Sequence, residues 1–213
     1  MSQARWNGGL VATGAAGIVV TSGLYGAAPE LAALPHAPLQ LAEVGAATVE
    51  GASLLKAAGG VGLAGDVVLI AGALLVMVAA LRSERTRAAA GWAFVALATL
   101  VFIGVDALAA GVLPQLAQSP AQFEGPRRLF DVFWVLGTAT FGIGGLLTVD
   151  RAVLRQAPVA AWMARVAAGV AVGSTLAFLV GVPSGLVMGL SIGFGAAAFA
   201  GLGARMAQGR LTA

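Results

Sequence analysis

Six stretches of this chain are apolar for long enough to cross a lipid bilayer, and almost nothing ionisable enters them. A spanning helix needs about 17–25 predominantly apolar residues, and residues 8–25, 58–81, 89–113, 129–148, 166–182 and 184–204 meet that length. Lipid offers no hydrogen bonds to the backbone, so a run of this kind must satisfy its own N–H and C=O groups by coiling into a helix. The expectation is an all-α polytopic membrane bundle of six transmembrane helices, forming a single integral membrane domain over 1–213.

Composition agrees. Only 10% of the residues are charged and 59% are hydrophobic, whereas a soluble domain carries about 25% charged residues. The formal charge of +3 does not imply nucleic acid, because the basic residues are scattered between apolar runs instead of forming one face. The absence of cysteine removes disulfides, thiolate catalysis and thiolate metal sites. His36, the single histidine, has no neighbour at metal-ligand spacing and cannot supply two axial haem ligands. The only lysine, Lys56, lies at a loop edge, which argues against a retinal Schiff base. No Walker loop, dinucleotide fingerprint, H-E-x-x-H or G-x-S-x-G is present. Neither a catalytic residue, a metal nor a cofactor is assigned.

Positive charge orients the bundle, since inner loops are enriched in Lys and Arg. With the N-terminus inside, Arg5, Arg82, Arg85, Arg87, Arg151, Arg155, Arg165, Arg205 and Arg210 fall on the inner side, nine of the twelve basic residues. Lys56, Arg127 and Arg128 fall outside. Both termini are therefore placed inside, in a bacterial inner membrane. The first run also has signal-peptide form, with Arg5, an apolar core over 10–24 and the small residues Gly26-Ala27-Ala28. It reads as a retained signal anchor. Trp6, Trp92 and Trp162 read as interfacial anchors near inner ends.

The long outer loop between the first two spans opens with Pro29, Pro35 and Pro38. It continues through Leu39, Leu41, Val44, Val49 and Leu54, with Glu43 and Glu50 between them. This spacing predicts a short amphipathic helix on the outer surface, either a lid or a passive cover. Small residues recur every four positions in the last two spans: Gly169, Gly173, Ala177 and Gly181, then Gly185, Gly189, Gly193, Ala197 and Gly201. Such stripes let helix backbones approach closely, either within the bundle, at a homo-oligomer interface or against other membrane subunits.

Two carboxylates break the apolar pattern. Asp66 and Asp106 lie roughly 12 and 10 Å below the outer ends of their spans at about 1.5 Å per residue. A charge at that depth is costly enough to be a functional-site hypothesis by default. Thr138, Ser174, Thr175 and Ser191 fall at similar depth, and Asp131 lies at the outer mouth on one helix face with Thr138 and the deeper Trp134, which could line the cavity. If they converge, they line an outward-open polar cavity. Three readings stay open for the aspartates: a shared proton, a cationic or polyhydroxylated ligand, or hydrogen bonds that only lock the bundle. A membrane Ser or Thr commonly bonds the carbonyl one turn back in its own helix. Asp150-Arg151 reads as an interfacial boundary, and Arg127 and Arg128 as exposed partners of Glu124 or Asp131.

A short first span, a long outer loop rich in small residues and acids, and a second span opening Gly62-Leu63-Ala64-Gly65-Asp66 together resemble an uncharacterised family of six-span bacterial membrane proteins, a domain of unknown function. The resemblance implies the six-span layout and no activity. The functional expectation is a non-enzymatic protein that binds or translocates a small solute or proton. The alternative is an accessory subunit packing through its glycine faces. Apart from the lipid bilayer and such membrane partners, none is expected.

Overall fold

The structure is a computed structural model that describes residues 3–27 and 38–211, and all its regular elements there are helical. The helices are α1 (Gln3–Gly26), α2 (Pro38–Glu50), α3 (Ala52–Arg82), α4 (Thr86–Ala107), α5 (Leu113–Leu116), α6 (Pro120–Thr148), α7 (Arg151–Gln156), α8 (Pro158–Leu179) and α9 (Gly185–Ala207). Six helical stretches are long and apolar enough to cross a membrane: α1, α3, α4 continued through α5, α6, α8 and α9. Each contains one of the six apolar runs almost entirely. His36, Pro29 and Pro35 lie outside the described residues.

The six long helices form a closed ring in chain order, each packed on the next, with α9 returning to α1. Neighbours run antiparallel. Glycine sets the distance at the α1 seams: Gly14 lies against the Leu69 backbone, Gly17 against Gly65, Gly72 against Val11, and Gly8 against Met206 and Ala207. Any side chain at Gly14 or Gly8 would collide with the partner's backbone, so these helices meet closer than Leu-faced helices can. Large apolar side chains such as Val67, Leu100, Leu136, Leu176 and Leu186 stand exposed on the ring's outer surface. In water these would be a liability; facing hydrocarbon they are at home.

The stripes of the last two spans differ from one another in what they face. Gly169 and Gly173 on α8 have open space above them among the described residues. Gly181 lies in the turn after α8, where φ is +85°. The Gly181 and Val182 N–H groups donate back to Phe178 and Ala177, a helix stop that favours a residue without a Cβ. Gly201 makes an ordinary contact with Ala160, 3.4 Å from the position its Cβ would take, and Gly193 faces Ser22.

One end of the ring gathers the arginines. Arg85 pairs with Asp150 at 2.7 Å, Arg165 donates to the Val149 carbonyl and Arg205 to that of Gln156, and Arg5 approaches Gly209. At the opposite end α2 lies against α3, α5 and the start of α6. Val44 and Thr48 of α2 are buried while Glu43 and Glu50 are exposed, but Val49, expected on the apolar face, is exposed as well. The helix ends at Glu50, before Gly51, so Leu54 belongs to α3.

Candidate functional site

Asp66 and Asp106 come together inside the ring. Both are buried, 1% and 5% exposed, and they line one cavity with Thr21, Tyr25 and Trp134. Local sequence explains the meeting. Gly62 lies one turn before Asp66 on α3, and its missing side chain leaves the space that the Asp106 carboxyl occupies. Gly59, one turn further, receives the Asp106 carbonyl and Ala110. The face Gly59, Gly62, Asp66 is thus a bare trough into which α4 settles. The Asp106 carboxyl faces both Asp66 and the Tyr25 hydroxyl.

Directly after Asp106 the helix widens into a π turn, Leu108–Val112, before α5. Pro114 supplies the reason: it has no N–H to give the carbonyl four residues earlier, and its ring crowds that carbonyl. The wider turn absorbs the misfit. Such π segments recur at functional sites because they re-aim the residues beside them.

The cavity holds about 20 Å³, room for one water molecule and little more. Among the described residues, no basic side chain lines it. Thr21 donates to the Ala58 carbonyl across the α1–α3 seam at 3.3 Å. The Tyr25 hydroxyl and Asp66 turn to the Asp106 carboxyl, while Trp134 Nε1 is buried and completes no hydrogen bond among the described residues. Buried polar groups are nearly always paired, and here the pairing of Tyr25 and Asp66 converges on one carboxyl, that of Asp106.

An aromatic column on α6 leads away from the cavity. Trp134 stacks on Phe130, with centroids 6.0 Å apart and planes 10° from parallel, and meets Tyr25 edge-on at 5.8 Å. The Arg127 guanidinium carbon lies 4.7 Å above the Phe130 ring. Arg127 donates to Asp131 at 3.0 Å and is 0% exposed. The surface pair expected here is therefore a buried one; only Arg128 and Glu124, 3.9 Å apart, lie at the surface.

Of the residues expected to form a polar layer, the structure unites Asp66, Asp106 and Trp134. The others stand apart from this cavity. Asp131 is engaged with Arg127. Thr138 donates to the Trp134 carbonyl, Ser174 and Thr175 both to Ala171, and Ser191 to Met188. These hydroxyls are satisfied within their own helices, so depth alone does not bring them to the site. Tyr25 is the site residue that sequence reasoning passed over. As the sole tyrosine, at the end of an apolar run, it carries the signature of an interfacial anchor, and only the tilt of its ring back into the bundle makes it a site residue.

Gly185, Gly189 and Gly193 floor a second space, a groove of about 320 Å³ between α1 and α9 that reaches Trp134. Its apolar rim includes Leu186, Leu190 and Phe194, all exposed.

No family model, curated protein or solved structure matches this chain. Function must be read from the site itself.

Proposed function

We propose that this is a multi-pass protein of a bacterial inner membrane, with both termini on the cytoplasmic side, that binds and releases a proton at the Asp66–Asp106 pair. One observation carries this reading: two carboxyls buried in a single cavity that no basic residue lines among the described residues. Two adjacent carboxylates cannot readily both ionise, and a proton held between them removes one of the two charges. The cavity's size favours a proton over a solute, since it admits about one water. That water, with the Tyr25 hydroxyl, forms the relay by which the proton leaves. The arginine-rich end supports the orientation, because inner loops collect Lys and Arg.

The test is purified protein in proteoliposomes, with infrared detection of the protonated carboxyl stretch during a pH titration. A titrating carboxyl band is expected in the unmodified protein and is abolished in Asp66→Asn and in Asp106→Asn. A band that persists unchanged in both variants sinks the proposal.

A second reading rests on the exposed backbone at Gly169 and Gly173. A flat strip on the lipid face of α8 suits the close approach of a helix from another membrane subunit or a second copy. Replacing both glycines by Leu would then dissociate the complex in detergent without altering the carboxyl band; an unchanged assembly removes this reading.

A further inference from the structure

The two ends of the ring offer the aspartate pair unequal surroundings. Along the α1–α3 seam Gly17 lies against Gly65, next to Asp66, and Thr21 meets Ala58 nearer the α2 end. Tyr25 follows one turn beyond Thr21, so its backbone stands between the pair and that end. A helical side chain leans toward the N-terminus of its helix, and the Tyr25 ring therefore reaches back to set its hydroxyl at Asp106. The same ring meets Phe130 edge-on at 6.5 Å, and Phe130 lies under Arg127, the partner of Asp131. Polar groups thus continue from the pair toward the α2 end.

Toward the arginine-rich end they stop. Phe102, one turn before Asp106 on α4, and Ile18, one turn before Thr21 on α1, close the cavity on that side. Beyond them Phe199 meets both Phe141 and Trp92 edge-on at 5.4 Å, and Val95 and Leu69 are fully buried. From Phe102 to Trp92 this packing runs for about 15 Å along α4. The buried hydroxyls of Thr99 and Thr138 at this level donate to Val95 and Trp134 of their own helices. A water needs open polar partners and an unpaired charge is costly in apolar packing, so this side offers a proton no path.

We propose that the Asp66–Asp106 pair exchanges its proton only with the face of the membrane at the α2 end, by way of Tyr25, so that the protein registers the pH of that face and does not carry protons across. This rests on the proton-binding reading and gives it a direction. The Tyr25 oxygen takes up a proton from Asp106 as its own O–H proton passes to water on the α2 side, which leaves a carboxylate behind and the phenol neutral. The charged and titratable groups about the pair are Tyr25 from α1 and Arg127 with Asp131 from α6. Residues 108–116, the π turn and α5, contain none, α9 contributes Ile192 to the cavity, and Glu43 and Glu50 of α2 are exposed. Because Asp131 matches Arg127 at 3.0 Å, the α2 side sets no unbalanced positive charge in the proton's way.

The experiment uses the full chain in proteoliposomes of biased orientation. The share of each orientation is counted by impermeant maleimide labelling of Gln118→Cys, at the α2 end, and of Ser83→Cys, at the other. The external pH alone is stepped while the carboxyl band is followed by infrared. The responding share of the band is expected to equal the share labelled at Gln118→Cys, and the remainder to follow only when a protonophore equalises the two sides. A lumenal pH dye should show no leak beyond that of protein-free vesicles. A responding share equal to that labelled at Ser83→Cys, a full response without protonophore, or protein-dependent acidification of the lumen overturns the proposal. No titration even with protonophore defeats the proton-binding reading itself. Tyr25→Phe should keep the equilibrated band while slowing its response about tenfold or more; an unchanged rate removes Tyr25 as the route. The sidedness measurement needs no change at the site, so it stands even if that variant fails to fold.

Discussion

A methyl group at Gly62 would overlap the Asp106 carboxyl, which makes this glycine as much a part of the site as the aspartates. Inserting carbon into a filled core typically costs about 1–3 kcal/mol. Gly62→Ala is accordingly expected to lower the thermal stability of the detergent-solubilised protein and to shift the carboxyl band by displacing Asp106. By contrast, Ala at Gly60, which has open space around it, should leave both unchanged. The Arg127–Asp131 pair offers a second residue-level test. Asp131→Ala withdraws a carboxylate from a fully buried guanidinium, and breaking a buried pair costs about 3–5 kcal/mol. The double variant Arg127→Met/Asp131→Leu should recover most of that loss in a thermal melt, because an apolar replacement strands no charge. Equal destabilisation by the single and double variants would show that packing on Phe130, not charge, is what matters there.

Among the elements, the short helix α7 is secured by one residue. Asp150 accepts the N–H groups of Ala152 and Val153 while binding Arg85 across the loop between α3 and α4. Partial burial pushes its carboxyl up, but the Val153 N–H, Arg85 and the Ala152 N–H outweigh that and hold it below the ordinary value of 3.8. A carboxyl lowered by folding stabilises the native state above its unfolded value and loses that contribution as pH falls through the folded one. The α7 tie is therefore intact at neutral pH and fails only below the ordinary carboxylate range. Asp150→Asn retains a cap oxygen but loses the charge, so its stability should vary less with pH in that acid window; loss of the cap altogether in Asp150→Ala costs about 1 kcal/mol. Thermal melts from neutral to strongly acidic pH check both. The expected boundary role of Asp150 thus understates it: this residue joins two loops at one end of the ring.

At the scale of the whole molecule, ring closure puts all the loops at one end or the other, and sidedness becomes a single question with a single answer. The chain has no cysteine, so introduced thiols report without background. Ser83→Cys, in the exposed turn after α3, and Gln118→Cys, in the exposed turn before α6, lie at opposite ends. A membrane-impermeant maleimide applied to intact cells should label Gln118→Cys and spare Ser83→Cys; the reverse pattern inverts the orientation. Much of this architecture was legible before any tertiary contact was known. Apolar run length sets the six helices because lipid forces each backbone to satisfy itself, and Asp66 and Asp106 announce themselves by their cost at depth. The rest depends on rotation about helix axes, which a run of Ala, Gly and Val leaves nearly undetermined since every face is apolar. Tertiary packing alone decided that Gly59, Gly62 and Asp66 face α4, that Tyr25 turns inward, and that Thr138, Ser174, Thr175 and Ser191 remain bonded within their own helices. It also decided that the glycines of α8 face outward, because close approach needs a bare face on the partner as well as on the helix itself.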